Sequence, residues 1–351
     1  MKRWLGKAET TLGNHSDRLN AINIFPVADG DTGTNLYLTV RAAAATFADR
    51  SAADEPVNDV GAVLASAGRA AMEQARGNSG TLFAVFLCAL AEPLEGHTRL
   101  SAPLLAAALN RAQIRAWSAL SEPVPGTMLS VLEAAARAAG DCDTAHNGDD
   151  SNQALGLALD AAVNAALDAV VQTEDQLAPL HAAHVVDAGG VGMLLILDCL
   201  RSAVLGEELQ NELLDGLHGY DLQDPHIHAG MPDDDGVEVM CTISLSPLAA
   251  ATLRQRLDEL GDSVIMSQVG SANPSGSAPG GADARDARDD DDDDDDAAEA
   301  SYRWRVHVHV PEAEPAVAVI RSLGDPTDIS VSQLSMPRDP GLPAGQHGHE
   351  Y

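Results

Sequence analysis

The sequence of 351 residues has few lysines and few aromatic residues. Lys2 and Lys7 are its only lysines, and no Gly-Lys-Ser or Gly-Lys-Thr triplet occurs, which excludes a P-loop nucleotide-binding protein. Aromatic residues supply 3% of the chain, so the core must be built mainly from Ala, Leu and Val. Lys and Arg number 21 against 53 Asp and Glu, and the formal net charge of −32 excludes nucleic-acid binding by bulk electrostatics.

Cysteine and long apolar runs are also scarce. Four cysteines stand far apart without a Cys-x-x-Cys pair, which argues against a disulfide scaffold and fits a reducing compartment. The longest uncharged apolar run, 82–91, is about half of a membrane span, and no apolar signal core opens the chain. We therefore expect a soluble cytoplasmic protein with no membrane span and no nucleic-acid partner.

Residues 1–206 predict a helical domain. Between residues 17 and 205, Ala and Leu recur at spacings of three and four, which is typical of a helical face. Short loops rich in Gly or Asp separate the helices, and such loops can meet at one end of a bundle or barrel to form a polar site. The predicted helices are 35–49, 57–76, 81–91, 102–120, 127–139, 152–171 and 191–205.

Residues 236–335 predict a smaller α+β domain, which follows a polar linker at 207–235. The hydrophobic period changes to two from Val237 to Leu245, as in a half-buried strand. The order of elements, βαββαβ, indicates a ferredoxin-like domain. The predicted strands are 237–245, 263–269, 302–310 and 329–334, and the predicted helices are 247–260 and 312–323.

Two further segments are so polar that we do not expect them to form a packed structure. Residues 270–300 are rich in Gly, Ser, Ala and Pro and include the eight consecutive aspartates 289–296. Such a segment cannot bury enough apolar surface to offset the entropy of ordering, so we expect a disordered acidic insert between the two middle strands. We expect the tail, 336–351, to be disordered as well.

The most informative polar loop is 29–35, Asp-Gly-Asp-Thr-Gly-Thr-Asn. Its two carboxylates, Asp29 and Asp31, flank one glycine and can turn to the same side of the loop to bind Mg²⁺ through oxygen. The free N–H groups of the following helix offer an anion site beside them. The alternative is an ordinary Asp-Gly turn in which Thr34 or Asn35 caps the helix.

Three more loops combine glycine with small polar residues just before a helix. Residues 76–80, Arg-Gly-Asn-Ser-Gly, can hold phosphates through backbone N–H groups beside a fixed positive charge, or can form a turn capped by Ser79. Residues 126–128, Gly-Thr-Met, and 187–190, Asp-Ala-Gly-Gly, have the same form. Their alternatives are an N-capping Thr127 and a simple turn.

Taken in order, these loops resemble a known family. Residues 19–35, 75–80, 125–129 and 187–190 look like the motifs of the bacterial fatty acid kinase ATP-binding subunit. Its nucleotide-binding domain is similar to the DhaL (DAK2) domain, the L domain of dihydroxyacetone kinases. The resemblance spans about residues 17–335, and the first motif, LNAINIFPVADGDTGTN, is highly specific.

The resemblance implies an eight-helix barrel that binds ATP and Mg²⁺. Asp29 and Asp31, assisted by Asn23, would hold the metal, and Arg76 would neutralise charge during phosphoryl transfer. The other residues that the resemblance places near the nucleotide are Thr34, Asn35, Gly77, Asn78, Ser79, Gly80, Thr127, Met128, Asp187 and Gly189.

The resemblance also implies a substrate and a partner. The substrate would be a fatty acid held by a separate, DegV-like lipid-binding protein, and the product would be an acyl phosphate. A carboxylate acceptor is already ionised at pH 7, so no general base is required. The sequence leaves a homodimer open, and we expect the C-terminal domain that is usual in the family to be lacking.

A second group of candidate ligands lies in the α+β domain. His307 and His309 stand two residues apart in the strand 302–310, so both imidazoles lie on one face and can reach one metal ion. With Cys241 they make a set suited to Zn²⁺, and the family's middle domain carries a similar set. Alternation places Cys241 on the apolar face of its strand, so the alternative is a small buried cysteine and two exposed histidines.

Two other functions stay open beside a fatty acid kinase. A dihydroxyacetone-type kinase would need a separate domain that holds the ketone, and no such domain is evident in this sequence. A non-catalytic module that binds a metal or a partner would have kept only the fold.

Overall fold

The computed structural model describes residues 1–48, 58–220, 236–271 and 301–334. The predicted tail lies outside the described residues, as does the predicted insert apart from residues 270 and 271, which belong to a strand. The first part of the predicted linker is described and contains a short 3-10 helix, Asn211–Leu214.

The described part of residues 1–220 is mainly helical. Leaving aside the short α8, each helix packs against the next along the chain, and α9 packs on α1, so the helices form a closed ring. A 3-10 helix, Glu92–Leu94, follows α4. The helices are α1 (Lys2–Ala21), α2 (Thr32–Ala45), α3 (Val60–Gln74), α4 (Gly77–Ala91), α5 (Ala102–Ala119), α6 (Met128–Ala145), α7 (Asn152–Gln176), α8 (Ala178–Ala183) and α9 (Ala188–Leu205).

Small aliphatic side chains build the interior of this domain, as the composition predicts. Most buried residues are Ala, Leu and Val, and Phe83 and Phe86 are among the few buried aromatic ones. Helix α4 is apolar on nearly all sides and is almost wholly buried, because its sequence has no polar stripe. The core therefore fixes the position of the first turn of α4, which carries one of the predicted motifs.

The second domain is a four-stranded antiparallel sheet with two helices. Its strands are β1 (Val237–Leu245), β2 (Asp262–Ser271), β3 (Tyr302–Val310) and β4 (Thr327–Gln333), in the order β2-β3-β1-β4. Helix α10 (Pro247–Asp258) joins β1 to β2, and α11 (Ala313–Leu323) joins β3 to β4. This is the predicted order of elements.

The two faces of the sheet differ in chemistry. The apolar face, with Val239 and Val308, packs against α10 and α11 to form a second core. The other face carries Glu238, His307 and Arg305 and lies toward the helical domain. Ile265 of β2 is part of the core of that domain. Because strand side chains alternate, a row of polar groups is held against the helical domain.

The structure differs from the predicted elements mainly at helix starts. Helices α4 and α9 begin at Gly77 and Ala188, several residues before the predicted starts, because their first turns are glycine-rich and glycine favours a loop prediction. Helix α1 is missing from the predicted helices because Thr, Asn and His dilute its apolar stripe. Helix α8 has 6 residues, too few to show a period.

Three helical segments are long and apolar enough to cross a membrane by length and composition. They are Gly77–Leu94, Asn152–Gln176 and Ala188–Leu205, and their most apolar windows are 78%, 50% and 83% buried within the structure. The third also holds the buried ion pair between Arg201 Nε and Asp198 Oδ1, at 2.8 Å. The absence of a membrane span therefore stays a prediction.

Candidate functional site

The first turns of four helices meet at one cavity of about 350 Å³. Thr32 begins α2, Ser79 lies in the first turn of α4, Met128 begins α6, and Gly189 lies in the first turn of α9. Helix N-termini carry N–H groups without intrahelical partners and a partial positive charge. Four of them around one cavity suit an anionic ligand such as a phosphate chain.

Part of the cavity wall is apolar. The side chains of Phe25, Leu82, Val124 and Leu129 contribute to it, together with Met128 at the start of α6. A cavity that is polar at some points and apolar at others fits a ligand that combines a flat ring with charged groups. Nucleotides are such ligands.

A smaller cavity of about 60 Å³ adjoins the first and contains the predicted carboxylate pair. Thr32, Asn78 and Ser79 line both cavities, while Asp29 and Asp31 line only the smaller one. The carboxylates therefore lie next to the helix N-termini. This is the arrangement that the loop at 29–35 predicts.

The two carboxyl groups lie within hydrogen-bonding reach of each other. Gly30 between them has φ 66°, a left-handed conformation that glycine adopts without strain. Burial, and then the charge of Asp31, raise the pKa of Asp29 to about 8. Burial also raises the pKa of Asp31. Such a pair needs a proton or a cation between its members, and carboxylate oxygens suit Mg²⁺.

Asn23 fixes the orientation of Asp29. Its Nδ2 donates a hydrogen bond to Asp29 Oδ1, and its Oδ1 accepts one from Thr32 Oγ1 at 2.9 Å. Asn23 is 2% exposed and lines the smaller cavity. The structure thus places Asn23 beside the carboxylate pair, and its role in holding a metal stays a prediction.

Thr34 is placed differently from its predicted position. Its hydroxyl accepts a hydrogen bond from Asn20 Nδ2 at 2.9 Å, and its N–H donates to Asn20 Oδ1 at 3.1 Å. The N–H of Gly33 donates to the same oxygen at 2.8 Å. Thr34 faces α1 because Asn20 accepts hydrogen bonds from the N–H groups at the start of α2. Thr32, and not Thr34, lines the cavity. The role of Asn20 was not predicted, although its position within the motif at 19–35 could have pointed to it.

Asn35 and Gly80 support the site from behind, whereas Gly77 lines the smaller cavity. The Asn35 side chain hydrogen-bonds Asp31, and a Cβ on Gly77 would lie 2.3 Å from Asn35 Nδ2. Gly77 also has φ 59°. Asn35 and Gly80 line neither cavity, so they position ligand-facing groups instead of contacting the ligand themselves. The predicted contact of Asn35 with a phosphate is corrected accordingly.

Thr127 and Asp187 both cap helices and line the larger cavity. Thr127 Oγ1 accepts a hydrogen bond from Leu129 N at 3.4 Å, and Asp187 Oδ2 accepts one from Gly190 N at 2.6 Å. Asp187 also accepts from the N–H of Met128, so one carboxyl group joins the starts of α6 and α9. Burial raises its pKa to about 7.

Arg76 does not line either cavity. Its exposed side chain lies in a separate cleft between the end of α3 and the polar face of the sheet. Glu238 lines both that cleft and the smaller cavity. The predicted place of Arg76 beside the phosphates is therefore corrected, because the loop turns its side chain toward the sheet.

The sheet contributes three candidate metal ligands, Glu238, His307 and His309. Their ligand atoms all lie within 4.8 Å of one another, and His307 Nδ1 is 3.1 Å from Glu238 Oε1. His307 is 0% exposed, and apart from the contact of its Nδ1 with Glu238 its ring nitrogens have no hydrogen-bond partner among the described residues. His309 Nδ1 is unpartnered in the same sense. Buried imidazole nitrogens without partners suit a metal ion.

Charge within this group is strongly coupled. Burial alone would raise the pKa of Glu238, but the adjoining His307 imidazole outweighs burial and lowers that pKa to about 2. Burial, together with His307, lowers the pKa of His309 to about 3. An ionised Glu238 beside a neutral His309 is a suitable set for a divalent cation.

Cys241 is not part of this group. It pairs with Val306 across the sheet, on the opposite face from His307, and is fully buried in the core with α10 and α11. Burial raises its pKa to about 12, as for an inert buried thiol. Glu238 takes the place predicted for Cys241, because strand alternation puts Glu238 on the face of the histidines. Sequence reasoning missed Glu238, although that alternation was the signal.

Comparison with known proteins identifies the family of the helical domain. The DAK2 domain model matches residues 26–202, just over half of the chain. The chain belongs to the DAK2 domain family. DAK2 domains bind ATP or ADP in kinase systems, so residues 26–202 form a kinase-related nucleotide- or phosphate-binding module.

Relatives of this DAK2 protein occur in Staphylococcus aureus. Proteins of the strains USA300 and N315, both described as uncharacterized, are 26% identical to it over 263 residues. The match covers 73% of this chain and 46% of each relative. The chain therefore spans about half the length of the relatives it matches.

Proposed function

We propose that this DAK2 protein is an ATP-dependent kinase that phosphorylates the carboxylate of a fatty acid held by a separate, DegV-like lipid-binding protein. The observation that carries the proposal is the convergence of four helix N-termini on a cavity that adjoins Asp29 and Asp31. The partial positive charge of the helix N-termini suits the phosphates, and the apolar wall suits the base.

The chain's own residues position the reactants. Asp29 and Asp31 would hold Mg²⁺, which neutralises phosphate charge when bound, and Asn23 and Asn35 hold the two carboxylates in place. Thr127 and Asp187 fix the helix starts that surround the nucleotide. The acceptor carboxylate oxygen forms a bond to the γ-phosphorus, the bond to the bridging oxygen of ADP breaks, and no proton needs to move.

The sheet domain is proposed to hold a zinc ion through Glu238, His307 and His309. Two imidazoles and one carboxylate are a known zinc set that leaves a position open for water or substrate. The group lies beside the smaller cavity, which Glu238 and His309 also line. The element and strand order supports assigning this domain to the ferredoxin-like type. The cytoplasmic location and the homodimer stay predictions.

Phosphoryl transfer by the full chain tests the proposed function. We expect acyl phosphate to form from Mg-ATP when a fatty-acid-loaded candidate partner is present, and expect no transfer to free dihydroxyacetone. Asp31→Asn should lower turnover by about 100-fold or more, because one metal ligand loses its charge. The exposed Asp168→Asn on α7 is the matched control. Failure to bind Mg-ADP, or wild-type turnover in Asp31→Asn, would overturn the proposal.

A further inference from the structure

A second cleft opens on the polar face of the sheet and contains three arginines. It has a volume of about 660 Å³ and lies between the end of α3 and strands β1, β3 and β4. Arg76 reaches it from the loop before α4, and Arg303 and Arg305 reach it from β3. We refer to this space as the arginine cleft. In a chain with a formal net charge of −32, it is an unusual place for three cations.

Arg305 is buried, and among the described residues no carboxylate lies within 4.0 Å of its guanidinium nitrogens. It is 7% exposed, and its neighbours in register on β1 and β2 are the hydroxyl residues Thr242 and Ser267. Its one hydrogen bond within the described residues runs from Nη1 to Thr242 Oγ1 at 3.3 Å, and its buried Nε has no partner there. A buried guanidinium in this state is costly unless an anion joins it.

Arg201 is a second buried arginine, and its guanidinium is fully paired. Its Nε lies 2.8 Å from Asp198 Oδ1 and its Nη1 lies 2.7 Å from Glu207 Oε2. Its Nη2 donates to the carbonyl of Glu208 at 2.8 Å. Every nitrogen of that guanidinium has a partner, in contrast to Arg305. Arg305 is therefore left available for a group that the chain does not supply among its described residues.

The carboxylates of the cleft do not neutralise its arginines directly. Glu73, Glu238 and Asp328 line it, but among the described residues no carboxylate lies within 4.0 Å of a nitrogen of Arg305 or Arg303. Glu238 is engaged elsewhere, because its Oε1 accepts from Gly77 N and its Oε2 accepts from Ser332 Oγ. The three acids bring the formal charge of the cleft near zero, but they form no ion pair within 4.0 Å with Arg303 or Arg305.

The arginine cleft adjoins the candidate phosphate site. Glu238 and Ser332 line both the cleft and the smaller cavity that holds Asp29 and Asp31. Along β3, His309, His307, Arg305 and Arg303 follow one another on one face, at about 6.6 Å for every two residues. An anion bound by Arg305 is thus about one side chain away from the metal-ligand group.

We propose that the arginine cleft is the entry for the phosphoryl acceptor, and that Arg305, with Arg303 and Arg76, binds an oxyanion of that acceptor. The ligand is a carboxylate or a phosphate, because the guanidinium fork matches the paired oxygens of both. The cleft opens to solvent beside exposed Arg76 and Arg303, so an acceptor carried by another protein can enter it. This proposal rests on the proposed kinase function.

Anion binding to the full chain in saturating Mg-ADP tests the proposal. The nucleotide fills the phosphate site, so further binding reports the arginine cleft. The probes are inorganic phosphate and, separately, butyrate. We expect binding of at least one probe, weakened tenfold or more by Arg305→Gln, which is at least about 1.4 kcal/mol. Arg321→Gln on α11 is the matched control. Tighter binding of butyrate indicates a carboxylate acceptor, and tighter binding of phosphate indicates a phosphorylated one.

Thermal unfolding separates a binding residue from a structural one. Arg305→Met removes an unpaired buried charge, so we expect its Tm to be equal to or above that of the wild type while anion binding is lost. A lower Tm, equal anion binding in Arg305→Gln, or no binding of either probe to the wild type would overturn the proposal. Loss of Mg-ADP binding in the wild type would instead overturn the proposed function, while Arg305-dependent anion binding without nucleotide would still support the cleft.

Discussion

The backbone N–H of Gly77 donates a hydrogen bond of 3.0 Å to Glu238 Oε1 and so joins the first turn of α4 to the first strand of the sheet. One N–H at the start of α4 is therefore directed to the sheet domain and not to a ligand. The same carboxylate contacts His307. Any movement of the sheet relative to the helical domain must therefore act on the first turn of α4 and on the candidate metal ligands together.

Replacing Gly77 tests how tightly the start of α4 is constrained. Gly77→Ala would place a Cβ 2.3 Å from Asn35 Nδ2, in a residue with φ 59°. Since Asn35 hydrogen-bonds Asp31, we expect a large loss of Mg-ADP affinity and a loss of stability above roughly 2 kcal/mol. Isothermal titration and urea unfolding measure the two effects.

Gly96→Ala is the matched control for this variant. Gly96 has φ 78°, yet no atom of the described residues lies within 4 Å of its Cβ position. We expect it to lose only about 1 kcal/mol of stability and to keep its Mg-ADP affinity. Equal behaviour of the two variants would mean that the left-handed backbone, and not the contact with Asn35, sets the cost.

Glu238 should act both as a hydrogen-bond acceptor and as a charge. Glu238→Ala leaves the buried Gly77 N–H without an acceptor, so we expect a loss of about 1–3 kcal/mol. Glu238→Gln keeps an acceptor oxygen and should recover most of that stability. Phosphoryl transfer should stay low in both variants if the charge beside His307 matters. Full activity of Glu238→Gln would reduce the role of Glu238 to positioning.

The sequence was sufficient to predict the helical domain and the main loops of the site. Apolar spacing predicted most helices, but the residues that combine glycine with small polar side chains were predicted as loops and belong to the first turns of α4 and α9. The Asp29-Gly30-Asp31 pattern alone left an ordinary turn open, and only the resemblance to a known family favoured a carboxylate pair that binds a metal. The family model then confirmed the DAK2 assignment, while the fatty acid acceptor stays a proposal.

Contacts between the two domains could not be predicted in the same way. Glu238 and Arg305 are far from the nucleotide motifs in sequence, and only the packing of the sheet on α4 brings them close. The motif at 76–80 predicted that Arg76 lies beside the phosphates. The direction of a single side chain between two helices depends on tertiary contacts, which a sequence motif does not show. Cys241 shows the reverse, since strand alternation already indicated its buried position.

The buried Asp187 carboxyl should make stability depend on pH. Its pKa is raised to about 7, above its unfolded value, so the folded state binds the extra proton between about pH 4 and pH 7. The contribution of Asp187 to stability must therefore fall as pH rises through that window. We expect Asp187→Asn, which keeps an oxygen for Gly190 N, to show a smaller fall, measured by urea unfolding at pH 5 and pH 8 with a chelator. The stability of Asp168→Asn should fall with pH as that of the wild type does. An undiminished fall in the stability of Asp187→Asn would contradict the raised pKa of Asp187.

Metal content decides between the zinc group and a simple buried ion pair. If Glu238, His307 and His309 bind Zn²⁺, the purified chain should carry roughly one equivalent, and His309→Ala should lose most of it. Cys241→Ala should retain the metal, because Cys241 lies on the opposite face of the sheet. Elemental analysis after dialysis against a weak chelator gives these values. Zinc lost from Cys241→Ala but kept by His309→Ala would return the cysteine to the site, and a zinc-free wild type would leave Glu238 and His307 as an ion pair.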